Sequence, residues 1–297
     1  MDADAQSLSP DQLPRLEWQV RHSVETMLSG DYRSVFRGRG MEFDQVVKYT
    51  WGDDPREIDW NVTARLGEPY CKKFIEEREV SLVVVFEDSP ALQFGSTGRT
   101  RRETLLELTV LLMLIGAQNR DRVGLMYASP AGSWYSRPVT GRAVTHTAAR
   151  LLGQPAPPLE GPAAVEIPWH VILRAVSRQS VLVWAGPFAP APEPDDWGAL
   201  VRRYQTVGFR ADDPWDVVLP PSAKIPVFDP LGGRITHLNP TSAVHRQAHA
   251  AWARRRNEHF SDLFARLHDR VVLPTDQPVL PELVSFFHQR ARLATIR

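Results

Sequence analysis

Six consecutive residues, Ser81-Leu82-Val83-Val84-Val85-Phe86, carry no charge and show no alternation of polar with apolar side chains. Such a strand has no face to offer water and needs cover on both sides, as a parallel strand in an α/β sheet does. The following residues fit that layer. Residues 102–119 are apolar almost all round at helical spacing, which predicts a helix packed under the sheet. Further strands are predicted at 122–127, 133–137, 180–185, 205–210 and 271–273, with helices at 145–152, 169–178, 196–203, 241–267 and 281–292. Strands alternating with helices specify a mostly parallel sheet with helices on both faces.

Three segments fall outside that alternation. Leu16, Val20, Val24, Met27 and Leu28 predict a short amphipathic helix over 16–28 that stops at Gly30. Residues 224–228 and 234–238 flank Asp229-Pro230-Leu231-Gly232-Gly233 and read as a hairpin. Between Gly38 and Glu79, acids and arginines are interleaved with Trp51, Ile58, Trp60 and Phe74. Gly52-Asp53-Asp54-Pro55 predicts a turn. Arg56, Asp59, Arg65, Glu76, Glu77 and Arg78 can pair around the aromatics, so Trp60 is expected to be buried.

The 38–79 segment carries a resemblance. Tyr49, Gly52-Asp53-Asp54, Arg56, Ile58-Asp59-Trp60, Ala64-Arg65, Phe74 and Glu77-Arg78-Glu79 stand at fixed spacing. Phe94-Gly95-Ser96, Asp121-Arg122-Val123-Gly124-Leu125, Asp213-Pro214 and Phe286-Phe287 continue the pattern. The chain resembles bacterial proteins of domain-of-unknown-function family fifty-eight, which contain a von Willebrand factor A-like domain. The resemblance implies a von Willebrand A-like, Rossmann-type sheet over 80–297. The N-terminal helix and the signature segment, 1–79, are expected to form a small β-rich accessory lobe with the hairpin region, 212–240.

In von Willebrand A domains the carboxyl end of the first strand holds a metal-ion-dependent adhesion site, Asp-x-Ser-x-Ser. This chain places Glu87, Ser89 and Ala91 there. Starting at Asp88 fails, because Pro90 then takes the first serine position. After the strand at 180–185 come Gly186-Pro187, and the loop expected to supply a threonine holds Glu166-Ile167-Pro168. One hydroxyl and a lengthened carboxylate make a poor cage for Mg²⁺, so no tight divalent-metal site and no cofactor is expected. His245 and His249 sit one helical turn apart without a third ligand at motif spacing and read as a solvated face.

Charge bounds the function. Lysine plus arginine and aspartate plus glutamate each number 35, with a pI near 7.2, which argues against a global field for nucleic acid. The single Cys71 fits a reducing compartment. The most apolar stretch, 105–117, is broken by Glu107 and Thr109 and is too short for a membrane span. No signal pattern opens the chain, and the expected location is the cytoplasm. Relatives of the resembled kind are typically encoded beside MoxR-type AAA+ ATPases, which implies a non-enzymatic adaptor between such an ATPase and a client protein. The alternative is a metal-dependent hydrolase or ligand-binding enzyme using Glu87, Asp88 and Ser89. Arg99, Arg101 and Arg102 open a helix, where the dipole disfavours cations. They are expected to face an acidic partner, beside loops stiffened by Pro155, Pro157, Pro158, Pro187, Pro190, Pro192 and Pro194.

Overall fold

The computed structural model describes residues 8–23, 45–50, 58, 60–73, 81–178, 180–221, 224–229 and 234–295. It divides into two compact units, one of Met1–Phe36 with Val80–Arg297 and one of Arg37–Glu79. In the larger unit, α1 (Leu13–Ser23) turns Leu13, Leu16 and Val20 into the core shared with the sheet. This corrects the expected division at residue 79. The apolar stripe of α1 needs a large partner, and the sheet layer supplies it.

The smaller unit pairs β1 (Gln45–Lys48) antiparallel with a later strand across α2 (Trp60–Leu66). That strand is β2 (Tyr70–Lys73), and Lys48 lies opposite Tyr70. Gly67 ends the helix at φ 73° and donates its N–H to the Thr63 carbonyl at 2.9 Å, a left-handed C-terminal cap. The Thr63 hydroxyl accepts from the Tyr70 N–H at 3.1 Å, tying helix to strand. Trp60 was expected to be buried, but it is 70% exposed at the first position of α2.

The larger unit resumes with β3 (Ser81–Glu87), α3 (Arg101–Gln118), β4 (Arg122–Ser129), β5 (Gly132–Val139) and α4 (Arg142–Leu152). Then come α5 (Trp169–Ala175), β6 (Val181–Ala185), α6 (Trp197–Arg203), β7 (Gln205–Asp212) and α7 (Pro214–Val217). The last elements are β8 (Ile225–Asp229), β9 (Arg234–Leu238), α8 (Ala243–Leu263), β10 (Arg270–Pro274) and α9 (Val279–Thr295). The sheet runs β10-β7-β6-β3-β4-β5. All its pairs are parallel except β4 with the edge strand β5. Chain order reverses between β3 and β6, and ligands of open α/β sheets bind at the strand carboxyl ends beside such a reversal.

Alternate residues of β3 explain its uniform apolarity. Leu82, Val84 and Phe86 join the core under α1, α3, α4 and α9, while Val83 and Val85 join the one under α5, α6 and α8. The second core is aromatic: Trp184 and Trp197 meet at 5.3 Å, and Phe260 and Phe264 close over β7. A Cβ on Gly208 would come within 2.3 Å of Phe264, so only glycine lets those rings lie on the strand.

The hairpin β8–β9 groups with the α/β unit, not with residues 37–79. The spacing of Val244, Ala248, Trp252, Leu263 and Leu267 predicts an apolar stripe along 241–267, and α8 differs from it. Arg256, Phe260 and Leu263 are its buried side chains, while Val244 and the downstream Leu267 are exposed. Only its C-terminal half lies on the sheet layer.

Candidate functional site at the carboxyl edge of the sheet

The loop after β3 holds the expected ligand positions, and each is already engaged. Glu87 accepts from Trp184 Nε1 of the neighbouring β6 at 3.0 Å. A Cβ on Gly186 would fall 2.7 Å from Glu87 Oε2, so the glycine lets the β6 loop close over the carboxyl. Desolvation pushes Glu87 up to about 7, opposed by the single indole donor. Asp88 is fully buried and accepts from Arg102 Nε at 2.8 and 3.1 Å, from Arg102 Nη2 at 2.8 Å and from the Tyr127 hydroxyl at 2.9 Å. Burial, then the charge of Asp88, pushes that phenol up to about 12. Ser89 accepts from the Ala91 N–H at 3.3 Å and caps a short turn, while Ala91 offers no side-chain donor.

These residues do not fit a Mg²⁺ cage, because Asp88 is held by a guanidinium and Ser89 by the backbone. Among the described residues no three His, Cys, Asp or Glu converge as metal ligands.

The arginines expected to face a partner turn inward. Arg99 pairs with Glu107, and Arg102 with Asp88. Arg101 holds Asp216 through Nε at 3.1 Å and through Nη2, and its Nη1 donates to the Ala91 carbonyl at 3.2 Å. The expectation failed because α3 opens under the strand ends, where backbone geometry gathers carboxylates. Local Coulomb contacts at 3 Å outweigh the helix dipole, worth about 0.3–1 kcal/mol. Glu103 instead completes a capping box with Thr100.

Two more buried arginines extend the network. Arg256 Nη1 lies 2.9 Å from Asp212 and 3.3 Å from Asp216, and its Nε donates to the Pro187 carbonyl at 3.2 Å. Arg210 forks onto Asp212 with both contacts at 2.8 Å and reaches Asn257 Oδ1 at 2.7 Å. Beside them Asp213 accepts from the Ser96 hydroxyl at 2.6 Å, the Ser96 N–H at 2.7 Å and the Trp215 N–H at 2.9 Å. Burial alone would raise Asp213, but the Ser96 bonds outweigh it and hold the carboxyl below its ordinary value. Two sequence motifs far apart, Phe94-Gly95-Ser96 and Asp213-Pro214, therefore meet. A Cβ on Gly95 would sit 2.2 Å from the Arg99 carbonyl oxygen, which explains the glycine.

Proline loops are tied down in part: the Pro155 carbonyl accepts from Arg102, Pro157 from Gln93 and Pro187 from Arg256. Against this network, with Asp212, Asp216 and Arg256 in its wall, lies a cleft of about 260 Å³ between α7 and α8, also lined by Val217, His249, Ala250, Trp252, Arg254 and Asn257. Sequence reasoning missed it, because the cleft depends on α8 overrunning the sheet. His245, expected on a solvated face, is half-buried and its Nδ1 accepts from the Asn239 N–H at 2.8 Å.

Of the signature residues, Tyr49 is half-buried and donates its N–H to the Pro69 carbonyl at 2.8 Å, and Arg65 is exposed. Gly52, Asp53, Asp54, Arg56, Asp59, Glu77 and Arg78 lie outside the described residues, and with them the proposed ion-pair network.

The molecule is thus an α/β protein whose strand-end aspartates are closed off by its own arginines and hydroxyls. It belongs to the family described as Protein of unknown function DUF58, whose pattern matches residues 45–259. Uncharacterized proteins of Mycobacterium tuberculosis (strain H37Rv) and Mycobacterium bovis are 26% identical to it over 291 residues, covering 94% of this chain and 89% of theirs. Among solved structures, the PilB minor pilin from Streptococcus sanguinis is similar at 12% identity with a TM-score of 0.35, covering 77% of this chain and 63% of the pilin. Its D319A mutant gives a TM-score of 0.37 and covers 65% of that chain.

Proposed function

We propose that the chain is a non-enzymatic protein-interaction module with a von Willebrand A-like sheet, serving a MoxR-type AAA+ ATPase in the maturation or assembly of a client complex. The observation that carries the reading is the commitment of the strand-end side chains. Asp88, Asp212, Asp213 and Asp216 each hold internal donors, so the edge works as a rigid frame for contacts. The strand order, with one antiparallel edge strand, supports the von Willebrand A-like reading. Among the described residues no helix is long and apolar enough to cross a membrane. Co-purification with a MoxR-type ATPase encoded in the same genome tests the proposal. Stoichiometric recovery is expected, and failure to recover the ATPase at native expression would overturn the partnership.

One observation favours the alternative, an enzyme working at the end of β3. Glu87 near 7 sits where a general acid or base operates best. Turnover of phosphoesters or esters with Mg²⁺ or Mn²⁺, lost in Glu87→Gln, would establish it; an inert panel would remove it.

A further inference from the structure

The neutral total hides a local imbalance. Between 224 and 257 stand Lys224, Arg234, Arg246, Arg254, Arg255 and Arg256 against the single carboxylate Asp229, and no acid occurs from 230 to 257. Arg256 is spent inside the network, and Arg246 donates to the Pro240 and Thr241 carbonyls. Arg254 and Arg255 are exposed and have no carboxylate partner among the described residues. The same stretch has unburied apolar groups, Val244 at 71% and Ile235 at 69% exposed, and Val217 just before it is 76% exposed. α7 packs on α8, and Val217, Ala250 and Ala253 give the cleft between them an apolar lining with Arg254 among the residues around it.

We propose that this cleft is the docking surface for an acidic segment of a partner protein, which lays an apolar side chain between α7 and the N-terminal half of α8. The proposal rests on the interaction-module reading and names the chemistry of the partner. The acids of the cleft do not oppose it. Asp212 and Asp216 are matched by Arg101, Arg210 and Arg256, so the wall is not anionic. A cavity of about 260 Å³ takes one or two aliphatic side chains, and Arg254 in its lining supplies the attraction that speeds docking of an acid.

A nucleic acid fits less well. Binding a single strand needs free aromatic faces for bases. The Trp252 ring already has the Arg256 guanidinium at 5.4 Å and the His249 ring at 5.9 Å. Val217 in the lining would also face phosphate without benefit.

Fluorescence anisotropy of the full chain tests the surface with a labelled peptide carrying glutamate and leucine at helical spacing. A glutamate-only peptide, a lysine–leucine peptide and a single-stranded oligonucleotide serve as competing probes. The glutamate–leucine peptide binds most tightly, and Arg254→Glu weakens it about tenfold. Arg142→Glu, the same charge change on the exposed first turn of α4, leaves it unaltered. Ala250→Trp fills the cleft and brings that peptide down to the affinity of the glutamate-only one. Absence of saturable binding, equal weakening by Arg142→Glu, or tighter binding of the oligonucleotide overturns the proposal. The ATPase experiment fails independently: ATPase recovered without peptide binding removes this cleft, and peptide binding without the ATPase removes that partnership alone.

Discussion

Two sets of arginines in one chain meet opposite fates. Arg101, Arg102, Arg210 and Arg256 are buried at the carboxyl edge of the sheet, the first three forked onto an aspartate and Arg256 shared through Nη1 between two. Arg254 and Arg255 immediately precede Arg256 on the same helix, point to other faces of it and meet water. The difference lies in what the backbone brings near. Parallel strands end together, so their terminal carboxylates gather and make burial of a cation tolerable. On α8 the side chain of Arg256 is turned to those strand ends, whereas Arg254 and Arg255 lie on faces turned away and have no carboxylate partner among the described residues. A guanidinium is structural where topology concentrates acids and recognition-competent where it does not.

The comparison breaks first at its strongest pairs. Asp216→Ala leaves Arg101 and Arg256 buried with a lost partner and should cost about 3–5 kcal/mol in denaturant unfolding, whereas Arg101→Met with Asp216→Leu should recover most of it. A small loss for the single variant would mean that water replaces the carboxylate. Gly208→Ala comes next: the added methyl meets Phe264 and Phe260 and should cost about 1–3 kcal/mol, read as a lowered melting temperature.

Glu87 sharpens the contrast, being a strand-end acid with no guanidinium partner among the described residues and a single indole donor. Its folded value of about 7 lies above the ordinary 4.5. The folded state therefore holds the proton more tightly, and stability contributed by this group is full below 4.5 and declines as pH rises to about 7. Glu87→Gln should abolish that decline, gaining about 3 kcal/mol over wild type at pH 8. Parallel unfolding curves at pH 5 and pH 8 check it, and a constant gap would place Glu87 in water. At the small end, Arg254→Glu and Arg255→Glu should each change stability by less than about 0.5 kcal/mol. A larger loss would show that the exposed set is also structural.

The sheet was legible because β3 reports its double cover in its own composition, and α3 likewise in apolarity on every side. Motif spacing gave the family. Side-chain destinations were not legible. Arg101 and Asp216 are 115 residues apart, and nothing local to either names the other. The dipole argument for Arg99, Arg101 and Arg102 considered one helix and left out the strand ends above it. An aromatic among charges reads as a buried anchor, yet Trp60 begins a short helix with its ring mostly in water. The α7–α8 cleft follows from where α8 stops touching the sheet, and hydropathy gave the wrong stripe there.

The division of the chain has a consequence for folding. α1 and β3 share one core, yet the whole of Arg37–Glu79 lies between them in sequence. In sequence the smaller unit is therefore an insertion within the larger one. On the ribosome α1 emerges well before any of its sheet and must wait for it, and the closure entropy of that long loop is met only when β3 and α3 condense. Once they have, a backbone cut near the exposed Gly67 need not free the N-terminal piece. Leu13, Leu16 and Val20 would hold it as a noncovalent fragment, each contributing about 1.5–3 kcal/mol of apolar burial.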